Sequence, residues 1–128
     1  MNPSVPVSWG ELLDKVTILE IKAQRLTSEA ALANVRHELE QLSSFAQEAE
    51  SLDPDIPGLK RELKQINQTL WQIEDDIREK EAAKTFDAEF VRLARAVYHN
   101  NDERGRLKQQ INMKLKSGLT EEKQYSRY

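Results

Sequence analysis

A polar cluster in the last third of the chain is the segment best suited to chemistry. Its ionisable side chains recur at spacings of three and four residues, which place them on one face of a helix. They are Arg92, Arg95, His99, Asp102 and Arg106. Arginine forks suit carboxylate or phosphate groups, whereas Asn101 and Asp102 suit hydroxyl groups. The pattern indicates either a site for an anionic sugar, nucleotide or phosphate compound, or a ladder of ion pairs inside the protein.

This polar cluster also interrupts the apolar stripe of the helix that carries it. The stripe consists of Phe90, Leu93, Val97, Leu107, Ile111 and Leu115. Between Val97 and Leu107 the stripe positions are occupied by Asn100 and Arg104, where the repeat predicts aliphatic residues. The asparagines can begin a new helix, and Gly105 weakens a continuous one. A kink or a joint between two helices is therefore the competing structural interpretation.

A second candidate lies in the segment LWQIEDDIREKE, residues 70–81. Trp71, Glu74 and Arg78 share one helix face beside the apolar seam, and Asp75 flanks them. Pairing of Glu74 with Arg78 four residues later is the structural explanation, worth a few tenths of a kcal/mol. The functional explanation is a carboxylate-and-arginine site that faces the polar cluster. An aromatic ring at the edge of a seam often marks a contact surface.

The segment ELLDKVTILEIK, residues 11–22, is the third candidate, because charged residues alternate there with many aliphatic ones. The charged residues are Asp14, Lys15, Glu20 and Lys22. Some of these acids or bases must approach the interior, and a buried carboxylate requires a partner. Arg78, Arg92 and Arg95 are the expected partners. A structural network and a functional site explain the pattern equally well.

Together these segments define the candidate ligand-binding residues. They are Asp14, Trp71, Glu74, Asp75, Arg78, Arg92, Arg95, Asn101, Asp102 and Arg104. In an enzyme, Asp75, Asp76 or Asp102 would act as acid, base or magnesium ligand. The sequence has no cysteine and only two histidines, which have no partner at metal-ligand spacing, so no zinc site and no cofactor are expected.

The framework around these residues is predicted to be all-α, a four-helix bundle in a single domain. Ser8 and Glu11 form a capping-box pattern at the first helix start, and Thr85 or Asp87 can cap the fourth. The predicted helices run from about residue 9 to 26, 28 to 50, 58 to 83 and 86 to 116. Gly118 is the expected left-handed residue after the last helix. Residues 1–8 are predicted to be an extended arm and residues 119–128 a C-terminal tail that frays or pins its tyrosines on the bundle.

The apolar repeats of the second and third helices share three-four spacing, and a short turn, SLDPDIPG, joins them. An antiparallel coiled-coil hairpin of these two helices is the simplest arrangement. Seams of this kind leave apolar edges uncovered in a lone hairpin, so a homodimer or another protein partner is expected.

Composition excludes several classes of function. Hydrophobic residues make up 38% and charged residues 32%, and the net charge is −3 with both signs interspersed. The chain lacks the concentrated basic face that nucleic acid binding requires. No apolar run approaches the roughly 18 residues of a membrane span. The first residues show no signal sequence, so a cytoplasmic location is expected.

Four segments together resemble a small bacterial family that is classed as a domain of unknown function. They are GELLDKVTILEIK, LWQIEDDIR, FVRLARAVYHNNDERGRLKQQIN and EEKQYSRY. The resemblance implies an association with glycosyltransferase or surface-polysaccharide genes. It assigns no activity and no site residues. Separately, Asp75-x-x-Arg78-Glu79 resembles a short motif of the all-helical chorismate mutases, whose arginines hold a dicarboxylate.

Two functions follow as hypotheses. The first, favoured on the resemblance, is a non-catalytic interaction or accessory module that acts with glycan-building enzymes. The second is a small helical enzyme, or ligand-binding protein, for an anionic sugar, nucleotide or phosphate compound. The first hypothesis predicts that the arginines are paired or exposed on the surface. The second predicts that they line one cavity with unpaired donors.

Overall fold

A computed structural model describes residues 1–119 and 121–128, so Thr120 of the predicted tail lies outside the described residues. These described residues form four helices: α1 (Trp9–Arg25), α2 (Glu29–Leu52), α3 (Ile56–Ala82) and α4 (Ala88–Lys114). The described residues contain no strand. The predicted all-α, four-helix class is therefore confirmed.

Short polar side chains define where three of the helices begin. Ser8 Oγ accepts a hydrogen bond from the Glu11 N–H at 3.1 Å, and Ser28 Oγ accepts one from Ala31. Asp87 Oδ1 accepts a hydrogen bond from the Phe90 N–H at 2.9 Å, so Asp87 is the cap of α4. Each bond satisfies a backbone donor that has no partner within its own helix.

The ends of α3 and α4 are Schellman motifs with lysine in the left-handed position. Lys84 has a φ of 56° and Lys116 a φ of 53°. The following residues, Thr85 and Ser117, donate backbone hydrogen bonds of 3.0 and 2.9 Å back into the last helical turns. No glycine in the described part of the chain has positive φ, so the prediction for Gly118 is wrong. Because α4 ends at Lys114, the left-handed position falls on Lys116.

The helices form two antiparallel hairpins, α1 with α2 and α3 with α4. In the second hairpin, Lys80 pairs with Asp87 at the turn, and Lys114 pairs with Asp55 at the opposite end. The expected pairing of α2 with α3 is wrong as the main contact, since these helices touch less than any other touching pair. Their equal spacing does not identify the partner, because the stripes of α1 and α4 repeat in the same way.

The core lies at one end of the bundle and draws on all four helices. It is centred on Leu13, Val16, Ala46, Ala49, Ile56, Leu63, Leu107 and Ile111. Helix α1 contacts each of the other three helices and is the most extensively buried element. Beyond the core, α3 and α4 continue as a pair that we call the distal arm, residues 74–100, in which no residue is fully buried.

A glycine allows α1 to approach α4 closely at the core end. A Cβ added to Gly10 would lie 2.5 Å from the Lys108 carbonyl oxygen, a backbone atom that cannot move aside alone. The Gly10 N–H donates to Asn112 Oδ1 at 2.7 Å across the same contact. The absence of a side chain at Gly10 therefore determines the distance between the two helices.

Replacing Gly10→Ala is expected to lower the free energy of unfolding by about 1–3 kcal/mol, because the helices must separate to admit a methyl group. Gly58→Ala is the matched control. Its added Cβ would meet only the Arg61 side chain, at 3.7 Å, so the variant should be neutral or slightly more stable. Urea denaturation measures both, and equal effects would show that the close contact does not constrain the helices.

Lys84→Gly is expected to raise the free energy of unfolding by about 0.5–1 kcal/mol, since glycine adopts the left-handed conformation without strain. The neighbouring Ala83, with a φ of −80°, provides the control. Ala83→Gly should destabilise the protein by about 0.5–1 kcal/mol because it only adds freedom to the unfolded chain. Thermal or urea unfolding checks the opposite signs, and a destabilised Lys84→Gly would contradict the assignment.

Candidate functional site

The buried carboxylate of Asp14 is the centre of the polar interior. Asp14 is only 1% exposed. The Arg104 guanidinium donates to both carboxylate oxygens, with Nε 2.9 Å from Oδ1. Asn67 Nδ2 donates to the same Oδ1 at 2.9 Å and lies 3.0 Å from Thr17 Oγ1. Helices α1, α3 and α4 thus meet at one charged group. We call the four residues Asp14, Thr17, Asn67 and Arg104 the Asp14 network.

A buried lysine extends the polar interior one turn along α4. Lys108 Nζ lies 2.8 Å from Glu11 and 2.6 Å from Glu121, a residue of the C-terminal tail. Asp14 Oδ2 is 3.9 Å away. Burial lowers the pKa of Lys108, but the hydrogen bonds to Glu11 and Glu121 outweigh it and the net shift is upward. Lys108 therefore stays charged and holds the tail against α4.

Two further ionisable groups of this interior, Arg104 and Glu121, are also held in their charged forms. The hydrogen bonds that Arg104 donates to Asp14 raise the pKa of Arg104, and the hydrogen bond from Lys108 lowers the pKa of Glu121. Every fully buried side-chain nitrogen and oxygen in the described part of the chain has a hydrogen-bond partner. The polar interior is thus internally satisfied, as buried charges require.

A groove lies beside the Asp14 network, between the C-terminal half of α1 and the middle of α3 and α4. Its volume is about 370 Å³. The apolar lining consists of Ile18, Ile21, Leu70, Trp71 and Val97, and the polar lining of Asn67, Glu74, Asp75, Asn101 and Arg104. The Arg25 guanidinium carbon lies 5.9 Å from the centre of the Trp71 ring, a cation–π distance. We call this feature the Trp71 groove.

The fold brings one group of the predicted site residues together. Trp71, Glu74, Asp75, Asn101 and Arg104 line the Trp71 groove, and Asp14 is bonded to Arg104. The predicted partners of the buried carboxylate were wrong. Arg104, and not Arg78, Arg92 or Arg95, pairs with Asp14.

The other predicted site residues are exposed and held by neighbours on the surface. Arg78 is paired with Glu74 one turn earlier, and Arg92 with Glu89. Arg95 Nε is 3.4 Å from the Tyr98 hydroxyl, and Asp102 accepts a hydrogen bond from the Tyr128 hydroxyl. The charged face that runs from Arg92 to Arg106 therefore points to solvent.

Helix α4 is continuous through the polar cluster, so the predicted kink or helix joint is wrong. Asn100 does not cap a new helix; its side chain donates to the Ala96 carbonyl at 2.8 Å within α4. Arg104 occupies the apolar stripe because it reaches Asp14. The polar residues in the stripe mark a buried charge pair and not a break.

Sequence analysis missed several members of the polar interior. They are Thr17, Asn67, Lys108, Asn112 and Glu121. One signal was available, since Arg104, Lys108 and Asn112 are four residues apart and share a face of α4. No comparable signal identified Glu121, because the fold of the tail is not periodic.

Of the two tyrosines of the tail, Tyr128 lies against α4, whereas Tyr125 is 79% exposed. The Tyr128 ring lies 4.6 Å from the His99 ring and 4.9 Å from the Tyr98 ring. Among the described residues, no group of three or more metal-ligating side chains is positioned to hold a metal ion. None of the described helices is both long and apolar enough to cross a membrane.

Asp14→Asn is expected to lower the free energy of unfolding by about 3 kcal/mol, since it leaves the Arg104 charge partly buried without its counter-ion. Glu103→Gln breaks an exposed pair with Arg106 on the same helix and should cost less than about 1 kcal/mol. Urea denaturation of both variants measures the difference. Equal, small losses would contradict a structural role for the Asp14 network.

Comparison with known proteins gives one match. The family model described as "Family of unknown function (DUF6165)" matches residues 3–128. No curated protein and no solved structure matches the chain. The match spans nearly the whole sequence, including the helices that carry the Asp14 network and the Trp71 groove, and the chain therefore belongs to the family of unknown function DUF6165.

Proposed function

We propose that the protein is a non-catalytic interaction module, and that its contact surface is the distal arm with the Trp71 groove at its base. The observation that carries the proposal is the contrast between the two ends of the bundle. At the core end every fully buried polar side-chain atom among the described residues is satisfied. In the distal arm no residue is fully buried, and large apolar side chains face solvent.

The exposed apolar residues of the arm support contact with another protein. Phe86, at the turn of the arm, is 57% exposed, and Val91 and Tyr98 also face solvent. Among the described residues, the seam between α3 and α4 is the main contact that stabilises the two helices there. A two-helix unit of this kind buries little apolar surface, and a partner would cover the remaining faces.

The partner class follows from the resemblance to a family found near glycosyltransferase and surface-polysaccharide genes. We propose enzymes that build glycans as the partners, in the cytoplasm. A second copy of the chain is the other candidate partner, since the coiled-coil spacing of α3 and α4 also suits a homodimer.

The ligand-binding alternative needs arginine donors that converge on one cavity. Arg78 and Arg92 each pair with an acid on their own helix, and Arg104 is paired with Asp14. These contacts favour the interaction module over a site for an anionic sugar, nucleotide or phosphate compound.

A photo-crosslinking amino acid at Val91, in the full chain expressed in its native cell, tests the proposal. We expect an adduct with a specific protein, identified by mass spectrometry as a glycan-building enzyme or as a second copy. The control places the same amino acid at Gln41, an exposed position on α2, and should give no adduct. Absence of adducts at Val91, or the same adducts from both positions, would refute the proposed surface.

A thermal-shift screen of sugar nucleotides and inorganic phosphate, with and without magnesium, completes this test. A ligand present at a hundred times its Kd stabilises a protein by about 2.7 kcal/mol, which such a screen detects. We expect no shift. A saturable shift that is lost in Arg92→Gln or Arg95→Gln would support the small-molecule alternative instead.

A further inference from the structure

The Trp71 groove has a lining that selects for one kind of partner segment. Its apolar residues come from three helices, with Ile18 on α1, Trp71 on α3 and Val97 on α4. Its acids, Glu74 and Asp75, both come from α3 and stand at the exposed rim. An occupant must therefore present apolar groups to the lining and positive charge to one side.

The acidic and basic residues of the groove lining differ in how completely they are paired. The one basic residue of the lining, Arg104, is neutralised by Asp14. Asp75 forms no ion pair among the described residues, and Glu74 has only the exposed pair with Arg78, a contact that water weakens. Among the residues of the lining itself, the rim thus offers carboxylates to an incoming cation, and the one lining cation, Arg104, is already paired.

The molecule itself shows that cations are accepted here. The Arg25 guanidinium lies 5.9 Å from the centre of the Trp71 ring. A tryptophan ring attracts cations through its electron-rich face, and nearby carboxylates strengthen that attraction. A lysine or arginine side chain of a partner would compete with the exposed Arg25 for the same ring.

The shape of the groove favours a helix as the occupant. Helix α1 ends at Arg25, whereas α3 and α4 continue into the distal arm. The face that α1 covers at the core end is therefore uncovered from the Trp71 groove onward. A helix laid end to end with α1 would contact both α3 and α4, which is the helix-in-groove mode of recognition.

We infer that the Trp71 groove binds a basic amphipathic helix of a partner protein. Its apolar side chains contact Trp71 and Val97, and its lysine or arginine side chains pair with Glu74 and Asp75. The inference rests on the proposed interaction module and names the chemistry of the partner segment. Because both acids of the groove lining lie on α3, the basic side chains of the partner helix would face α3.

Fluorescence of Trp71 tests the inference directly. The chain has two tryptophans, so Trp9→Phe leaves Trp71 as the single reporter. The probe is a synthetic amphipathic helix of leucine and lysine, titrated at physiological salt, with a leucine–glutamate helix of equal length as its counterpart. We expect a saturable blue shift with the lysine helix and none with the glutamate helix.

Matched charge variants separate the groove from general attraction to acidic surfaces. Glu74→Gln with Asp75→Asn should weaken binding by about tenfold, a loss of about 1.4 kcal/mol. Asp76→Asn with Glu79→Gln removes the same charge from α3 at residues outside the groove lining and should change the Kd by less than about twofold. All four positions are at least partly exposed, so the variants should remain folded.

No saturable shift, equal binding of both helices, or equal loss in the two double variants would each overturn the inference. The crosslinking experiment distinguishes this failure from failure of the interaction module. A specific adduct at Val91 together with a negative titration would refute the basic helix and leave the module standing. Absence of adducts would refute the module itself.

Discussion

One buried ion pair sets how the helices of this protein fit together. Asp14 is enclosed by the bundle, and a carboxylate in that environment is tolerated only with a counter-ion and full hydrogen bonding. The Arg104 fork supplies the charge and Asn67 supplies a further donor. Sliding α4 past α1 by one turn, about 5.4 Å, would separate Asp14 from Arg104. The pair therefore specifies the register of the two helices more than it adds to their stability.

The register fixed by Asp14 also positions the contacts on either side of it. Towards the core end, Gly10 meets the α4 backbone at Lys108 and bonds to Asn112. Between these contacts Lys108 reaches Glu121, which holds the tail along α4. Towards the other end, the same alignment leaves α1 short of the distal arm and opens the Trp71 groove.

Local chemistry made part of this fold predictable from sequence. The helix starts at Ser8 and Asp87 depend on a hydrogen bond within three residues, and such signals do not need tertiary structure. The partner of each helix was not predictable, because the apolar stripes repeat with the same spacing. The left-handed residue after α4 was misplaced for a related reason. Its position depends on the last helical turn, and helix boundaries are the least certain part of a sequence-based assignment.

The residues of the candidate site were also predictable only in part. The regular spacing of Arg92, Arg95, Asp102 and their neighbours indicated one face correctly, but that face lies opposite the apolar stripe and is therefore exposed. Arg104 lies in the stripe itself, so it is enclosed and needs a buried acid. A charge within an apolar stripe is thus better evidence of a buried contact than a periodic row of charges. Which acid it meets depends on how far α1 extends along α4, and no local pattern encodes that distance.

The distribution of burial bears on function as much as the identity of the charges. Local opening is least costly where few apolar contacts are made, and the distal arm has no fully buried residue. A partner helix in the Trp71 groove would add the third side that α1 provides at the core end. Binding would then order the arm as well as recognise it, and part of the contact energy would offset that ordering. In the proposed module, such an arm would favour a moderate affinity that the acids of the α3 rim can tune.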